Sequence, residues 1–199
     1  MLTFNESHIC QKLASLPRWA RVVFASTVAT RLFRAYQAYC ADTSSGDSPQ
    51  LSSILEFIWH NISRIDLDIP RINQSIEVAT KLLPSEDDAW SEFFSPAEDA
   101  VASVLYALRT MVTGECQEAA WAARRSYEAV DDYVVSSMKI DLQKKDSEVE
   151  VLGHPLVQLE LSRQLRDLDK LQSEIDMPID SVIKDFRCRA QIEYAIPRE

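Results

Sequence analysis

The chain has 199 residues, 46% of them hydrophobic and 26% charged, which is the size and composition of one ordinary globular domain with a core of its own. Its formal net charge of −10 argues against an extended nucleic-acid surface, since phosphate contacts need clustered Lys and Arg. Only three glycines, Gly46, Gly114 and Gly153, punctuate the sequence, and each falls between apolar-periodic segments where helices stop.

The segment from Met1 to His8 has no basic start and no continuous apolar run, so no secretory signal is expected there. No apolar stretch is long enough to cross a bilayer, and a cytoplasmic, non-membrane protein is expected. A short first helix spans about Glu6 to Ser15. Pro17 then suits the first turn of a much longer helix reaching about Asp42. Along it Ala25, Val28, Ala29, Leu32, Phe33, Tyr36, Tyr39 and Cys40 recur at three- and four-residue steps. Trp19, Val22, Val23 and Phe24 make its first half apolar on nearly every side. A helix of that kind is surrounded by others, so this one is expected at the centre.

Pro49 restarts the chain, and Leu51, Ile54, Leu55, Ile58 and Ile62 form the next stripe, with Trp59 beside it. A helix from about Arg71 to Leu83 is ended by Pro84. The acidic Ser85–Asp88 turn followed by Trp90, Phe93 and Phe94 is expected to pin aromatics to the core, and Trp19, Trp59 and Trp90 are all assigned there. Ser95, Pro96 and Glu98 read as a capping box opening a helix that ends at Gly114. The next helix runs from about Cys116 to Asp141, and residues 143–153 read as a charged, mobile linker before a C-terminal helical pair. That pair begins at Pro155 and about Asp180. The expectation is therefore an all-α fold: a single-domain bundle of about seven or eight helices around a long central N-terminal helix, covering residues 1–199.

Phosphate loops, dinucleotide-binding turns, nucleophile elbows and HExxH are absent from the sequence. Three isolated histidines and four widely spaced cysteines give no metal-ligand pattern, and neither a metal nor a cofactor is expected. Cys10, Cys40, Cys116 and Cys188 read as small buried hydrophobes. What remains is polar or aromatic residues on otherwise apolar helices. Arg31 lies off the main stripe of the long helix, and once covered by neighbours it needs a carboxylate. Asp99 is the expected partner, and Arg31, Trp59 and Asp99 form the candidate binding cluster. Trp121 falls opposite its helix's apolar stripe and is an interface candidate. Leu161, Leu168 and Ile175 lie on a heptad seam interrupted by Gln164, which reads first as packing into the protein's own bundle, with an intermolecular interface as the alternative that makes them interface candidates too.

Trp19, Phe24, Arg31, Tyr36, Asp47, Leu55 and Trp59 in that order, then Pro84 with Asp87-Asp88, Pro96-Ala97, Asp99-Ala100 and Gly114, resemble the YjaG-like bacterial proteins, catalogued as domain of unknown function 416. The resemblance covers about the first two thirds of the chain. It implies a compact helical bundle and no assigned activity. That family usually carries a Glu just before the arginine matching Arg31, and Thr30 stands there in this chain.

Three functions compete. The first is a non-enzymatic interaction module, in the manner of an immunity or antitoxin-like factor that masks a basic effector. The alternatives are a small-molecule binder or enzyme with a polar pocket near Arg31, Trp59 and Asp99, and a homo-oligomeric scaffold using the Val157–Ile175 seam or Trp121. The partner is accordingly a basic protein or a second copy of the chain.

Overall fold

The computed structural model describes residues 1–141, 143 and 146–196. Among these, nine α-helices form and no strand does: α1 (Glu6–Ala14), α2 (Arg18–Thr43), α3 (Ser48–Asn61), α4 (Ile69–Thr80), α5 (Phe94–Thr113), α6 (Cys116–Ser137), α7 (Ser147–Gly153), α8 (Pro155–Ser173) and α9 (Ile179–Ile192). A single 3-10 turn, Glu86–Asp88, lies between α4 and α5.

Helix α2 is the hub. From Val22 to Ala29 every side chain is buried, and α2 packs against α3, α5, α6, α8 and α9. Its most extensive contact is with α5, which in turn packs on α6. Small residues make these close crossings feasible: Ala25 and Ala29 on α2, Ala97, Ala100 and Ala107 on α5, and Ala119, Ala122 and Ala123 on α6 are all buried. No described helix is long and apolar enough to cross a membrane.

The chain stops and restarts through local polar chemistry. Asn5, Asp47 and Asp68 each accept a backbone N–H three residues on, opening α1, α3 and α4. Gly114 ends α5 in the left-handed region at φ 69°, its N–H donated to the Thr110 carbonyl. Two boundaries differ from the sequence reading. Helix α4 begins at Ile69, before Arg71, because Asp68 caps it and Pro70 fits the first turn. Helix α5 begins at Phe94 with Phe93 at the cap position and no side-chain cap bond, so the Ser95–Glu98 capping box does not form. Phe93 and Phe94 pack against the core and carry the helix two residues further back, while Pro96 still sits where no N–H donor is needed.

The expected 143–153 linker is partly helical: α7 occupies its second half, with Ser147 and Val151 buried. Leu142 and the linker positions Lys144 and Lys145 lie outside the described residues. The cysteines also depart from expectation, since none is fully buried. Cys10, Cys40 and Cys116 are half-buried and Cys188 is exposed.

Candidate functional site

Arg31 lies on the face of α2 that turns toward α8 and α9, and solvent reaches none of its side chain. Its Nη2 donates to Glu160 Oε1 at 3.2 Å and its Nη1 to Asp167 Oδ2 at 2.5 Å. The two carboxylates stand seven residues apart on α8, two turns of one helix face. Glu160 Oε1 also accepts from Ser126 Oγ and Gln164 Nε2, each at 2.9 Å. Asp167 Oδ1 accepts from Arg166 Nη2 at 3.1 Å and Arg189 Nη1 at 3.0 Å. Four helices, α2, α6, α8 and α9, are thereby joined by one buried ionic network.

Burial works against charge here, and the partners overrule it. Burial favours neutral Arg31, yet Glu160 and Asp167 hold the guanidinium above its ordinary value. Burial likewise pushes the Asp167 carboxyl up, but Arg31 and Arg166 bring it below the usual carboxylate range. Both groups stay ionised. The network is not saturated: Ser26 Oγ, Arg31 Nε, Glu160 Oε2 and Gln164 Oε1 have no hydrogen-bond partner among the described residues. What this arrangement does chemically is hold α8 and α9 on the hub helix.

Asp99 was expected to pair with Arg31 and does not. On α5 it faces α6 and accepts from Arg125 Nη1 at 3.2 Å. Burial pushes its carboxyl up to about 7 against the opposing pull of Arg125, with Glu128 and Asp132 adding to the rise. Trp59 is buried at the edge of α3, and its Nε1 donates to Thr30 Oγ1 at 3.0 Å. Thr30 in turn donates to the Ser26 carbonyl. Trp59, Thr30, Arg34, Glu56, Gln191 and Tyr194 line a cleft of about 210 Å³, in which the Arg34 guanidinium stacks 3.7 Å over the Tyr194 ring. Neither Arg31 nor Asp99 lines that cleft. The three expected site residues are thus in three separate environments.

The heptad seam takes the first of its two readings. Leu161 and Leu168 are buried, and Ile175 is half-buried against the same core, so the heptad seam packs into the chain's own bundle. Gln164, which interrupts the seam, bonds the Ala123 carbonyl and Glu160 instead. Trp121 is half-buried, its ring 5.5 Å from that of Tyr106. Among the described residues, no cluster of three or more His, Cys, Asp or Glu side chains is arranged to hold a metal ion.

Trp90 is the aromatic that sequence reasoning misplaced. Assigned to the core, it is 67% exposed. The backbone around it is nonetheless tied down to the C-terminal half of α2. Tyr36 Oη donates to the Leu82 carbonyl at 2.9 Å, Tyr39 Oη to Asp88 Oδ2 at 2.7 Å, and Ser91 Oγ to Asp42 Oδ2 at 2.6 Å. Glu86, Asp87 and Glu92 flank the indole in sequence and are exposed, as is Leu83. A loop held by side-chain hydrogen bonds therefore presents an exposed indole, with acidic residues on either side of it in sequence.

A family profile described as "Protein of unknown function (DUF416)" matches residues 8–193. The uncharacterized protein YjaG of Escherichia coli (strain K12) is 27% identical over 114 residues, 57% of each chain. The YjaG proteins of Salmonella typhimurium and Salmonella typhi are 26% identical over the same length. The aligned stretch thus spans little more than half of these curated relatives. The crystal structure of a DUF416 family protein from Shewanella baltica OS155 superposes with a TM-score of 0.79 at 20% identity, covering 90% of this chain and 91% of that one. At that identity the likeness speaks for the fold alone. Because the profile runs through nearly the whole bundle, from α1 to the end of α9, the chain belongs to the DUF416 family.

Proposed function

We propose that the protein is a non-enzymatic interaction module that docks a basic protein segment on the Trp90 loop. The observation that carries this reading is the 67% exposure of Trp90 on a loop fixed by three side-chain hydrogen bonds and bordered by Glu86, Asp87 and Glu92. An exposed tryptophan on a rigid support is the kind of anchor that carries binding energy at protein interfaces. Its ring face attracts Lys and Arg, and the surrounding carboxylates steer such a partner in. The net charge of −10 acts in the same direction at longer range. Masking of a basic effector, as an immunity or antitoxin-like factor does, is the form of this function that best suits the charge.

The test is to place a photo-crosslinking amino acid at the exposed position of Ala89, beside Trp90, in wild type and variants alike, and identify what it captures in the native host. A stoichiometric basic protein, lost when Trp90→Ala or Glu86→Lys/Asp87→Lys/Glu92→Lys is used as bait, supports the reading. Equal capture by wild type and both variants overturns it, and so does capture of nothing above background.

The cleft beside Trp59 supports a second reading, binding of a small molecule. Its lining offers an aromatic wall, the Arg34 cation and the Gln191 amide. A thermal-shift screen of small carboxylates against wild type and Arg34→Ala distinguishes the two readings, because the Trp90 loop does not line this cleft.

A further inference from the structure

Cys10 on α1 and Cys116 at the first position of α6 are 106 residues apart in the chain, yet their sulfurs lie 2.8 Å from each other. Both side chains are half-buried, so a small oxidant reaches them. The approach is built rather than incidental, because the two helix ends are fastened on either side of it. Gln117 Nε2 donates to Glu6 Oε1 at 2.8 Å. Arg21 donates to the Leu13 and Ala14 carbonyls at the end of α1 and to the Gly114 carbonyl just before α6. A disulfide has its sulfurs about 2.05 Å apart, so the gap left to close is under about 1 Å.

We propose that Cys10 and Cys116 are a site of reversible oxidative modification, at which a peroxide converts the two thiols to a disulfide that staples α1 to α6. Cys116 attacks a peroxide oxygen as the thiolate, forming a sulfenic acid and releasing hydroxide, which takes up a proton to leave as water. Cys10 then gives up its proton, attacks the sulfenic sulfur and expels hydroxide as a second water. Two electrons pass from the thiols to the peroxide, and a dithiol reductant reverses the change by exchange. Burial and the neighbouring Cys116 push the Cys10 thiol up to about 11, against Arg21, which disfavours Cys10 as the first nucleophile. Among the described residues, Cys40 and Cys188 have no second thiol in hydrogen-bond range, so the reaction is specific to this pair.

The ring so closed is long, and cross-links of that kind stabilise by restricting the unfolded chain. The full chain carrying Cys188→Ser, which removes the exposed thiol, is treated with hydrogen peroxide and digested without reductant. A Cys10–Cys116 linked peptide, two hydrogens lighter than the separate peptides and split again by dithiothreitol, is expected. The Tm of the oxidised chain should rise by roughly 5–10 °C, and Cys10→Ala should lose that rise. A map in which peroxide yields only sulfinic or sulfonic acids, or a Tm that oxidation leaves unchanged, overturns the proposal. Because mapping and melting are both done on a chain that keeps both thiols, they decide the matter even if Cys10→Ala fails to fold.

Discussion

Arg31 of α2 and Asp167 of α8 form a salt bridge in which both side chains are fully buried. Removing one member of such a pair leaves an uncompensated charge in the interior, which costs about 3–5 kcal/mol, whereas removing the charges together is far milder. Arg31→Met is accordingly expected to lose roughly that much, because it strands both Glu160 and Asp167. Adding Glu160→Gln and Asp167→Asn to Arg31→Met should restore part of the loss. Urea denaturation of the single and combined variants measures it, and purely additive effects would show that the three residues do not act as one network.

Asp99 sets a pH dependence of opposite sign to that of a paired carboxylate. Its pKa is raised in the folded protein to about 7 from an ordinary value of 3.8, so between those limits the folded state binds more protons than the unfolded one. Stability from this group is therefore complete below about pH 4 and is lost as pH rises through 7. Asp131 and Asp132 are also shifted upward by burial and add to the same slope. Asp99→Asn should gain on wild type as pH rises from 4 to 8, by an amount on the order of 2–3 kcal/mol. Parallel urea midpoints for the two proteins across that range would show that Asp99 does not titrate there.

The hub helix was readable because the first half of α2 is apolar on nearly every side, the pattern of a surrounded helix. Arg31 stood out for the same reason, but its partners did not. Glu160 and Asp167 share a face of α8, and that polar stripe runs beside the apolar seam of Val157, Leu161, Leu168 and Leu171. Its spacing, with Gln164 between the two acids, was a usable signal of a buried polar face. Asp99 was chosen because it opens a buried helix, yet which neighbour it faces depends on helix crossing, which periodicity does not encode. Trp90 failed for a related reason. Hydrophobicity assigns an indole to the core, whereas tertiary hydrogen bonds, donated by Tyr39 to Asp88 and by Ser91 to Asp42, decide how its loop is held.

Gly46 and Gly114 both occupy the left-handed region, at φ 77° and 69°, but they differ in surroundings. A Cβ at Gly46 would stand 2.8 Å from Tyr36 Oη and 2.9 Å from Cys40 Sγ, while one at Gly114 would meet only Arg18 carbons at ordinary contact distance. Gly114→Ala should therefore cost about 1–2 kcal/mol, the strain of a left-handed residue with a side chain. Gly46→Ala should cost more, since Tyr36 must also shift and its bond to the Leu82 carbonyl is put at risk. Thermal denaturation ranks the two, and equal losses would mean that Tyr36 moves aside freely.

The Trp90 loop separates binding from stability in a way that two variants expose. Trp90→Ala removes an indole that is mostly in water, so stability should stay within about 0.5 kcal/mol of wild type while capture of the basic partner is lost. Tyr39→Phe does the reverse to the support. It deletes the hydroxyl that bonds Asp88, a proton that burial and Asp88 keep in place well above neutral pH. A loss of about 0.5–1.5 kcal/mol is expected. Amide exchange over residues 85–92 should quicken while α2 and α5 keep their protection, and partner capture should weaken without vanishing, because the indole and its carboxylates are still present. Unchanged exchange in the loop would mean that the remaining bonds, Tyr36 to Leu82 and Ser91 to Asp42, suffice to hold it.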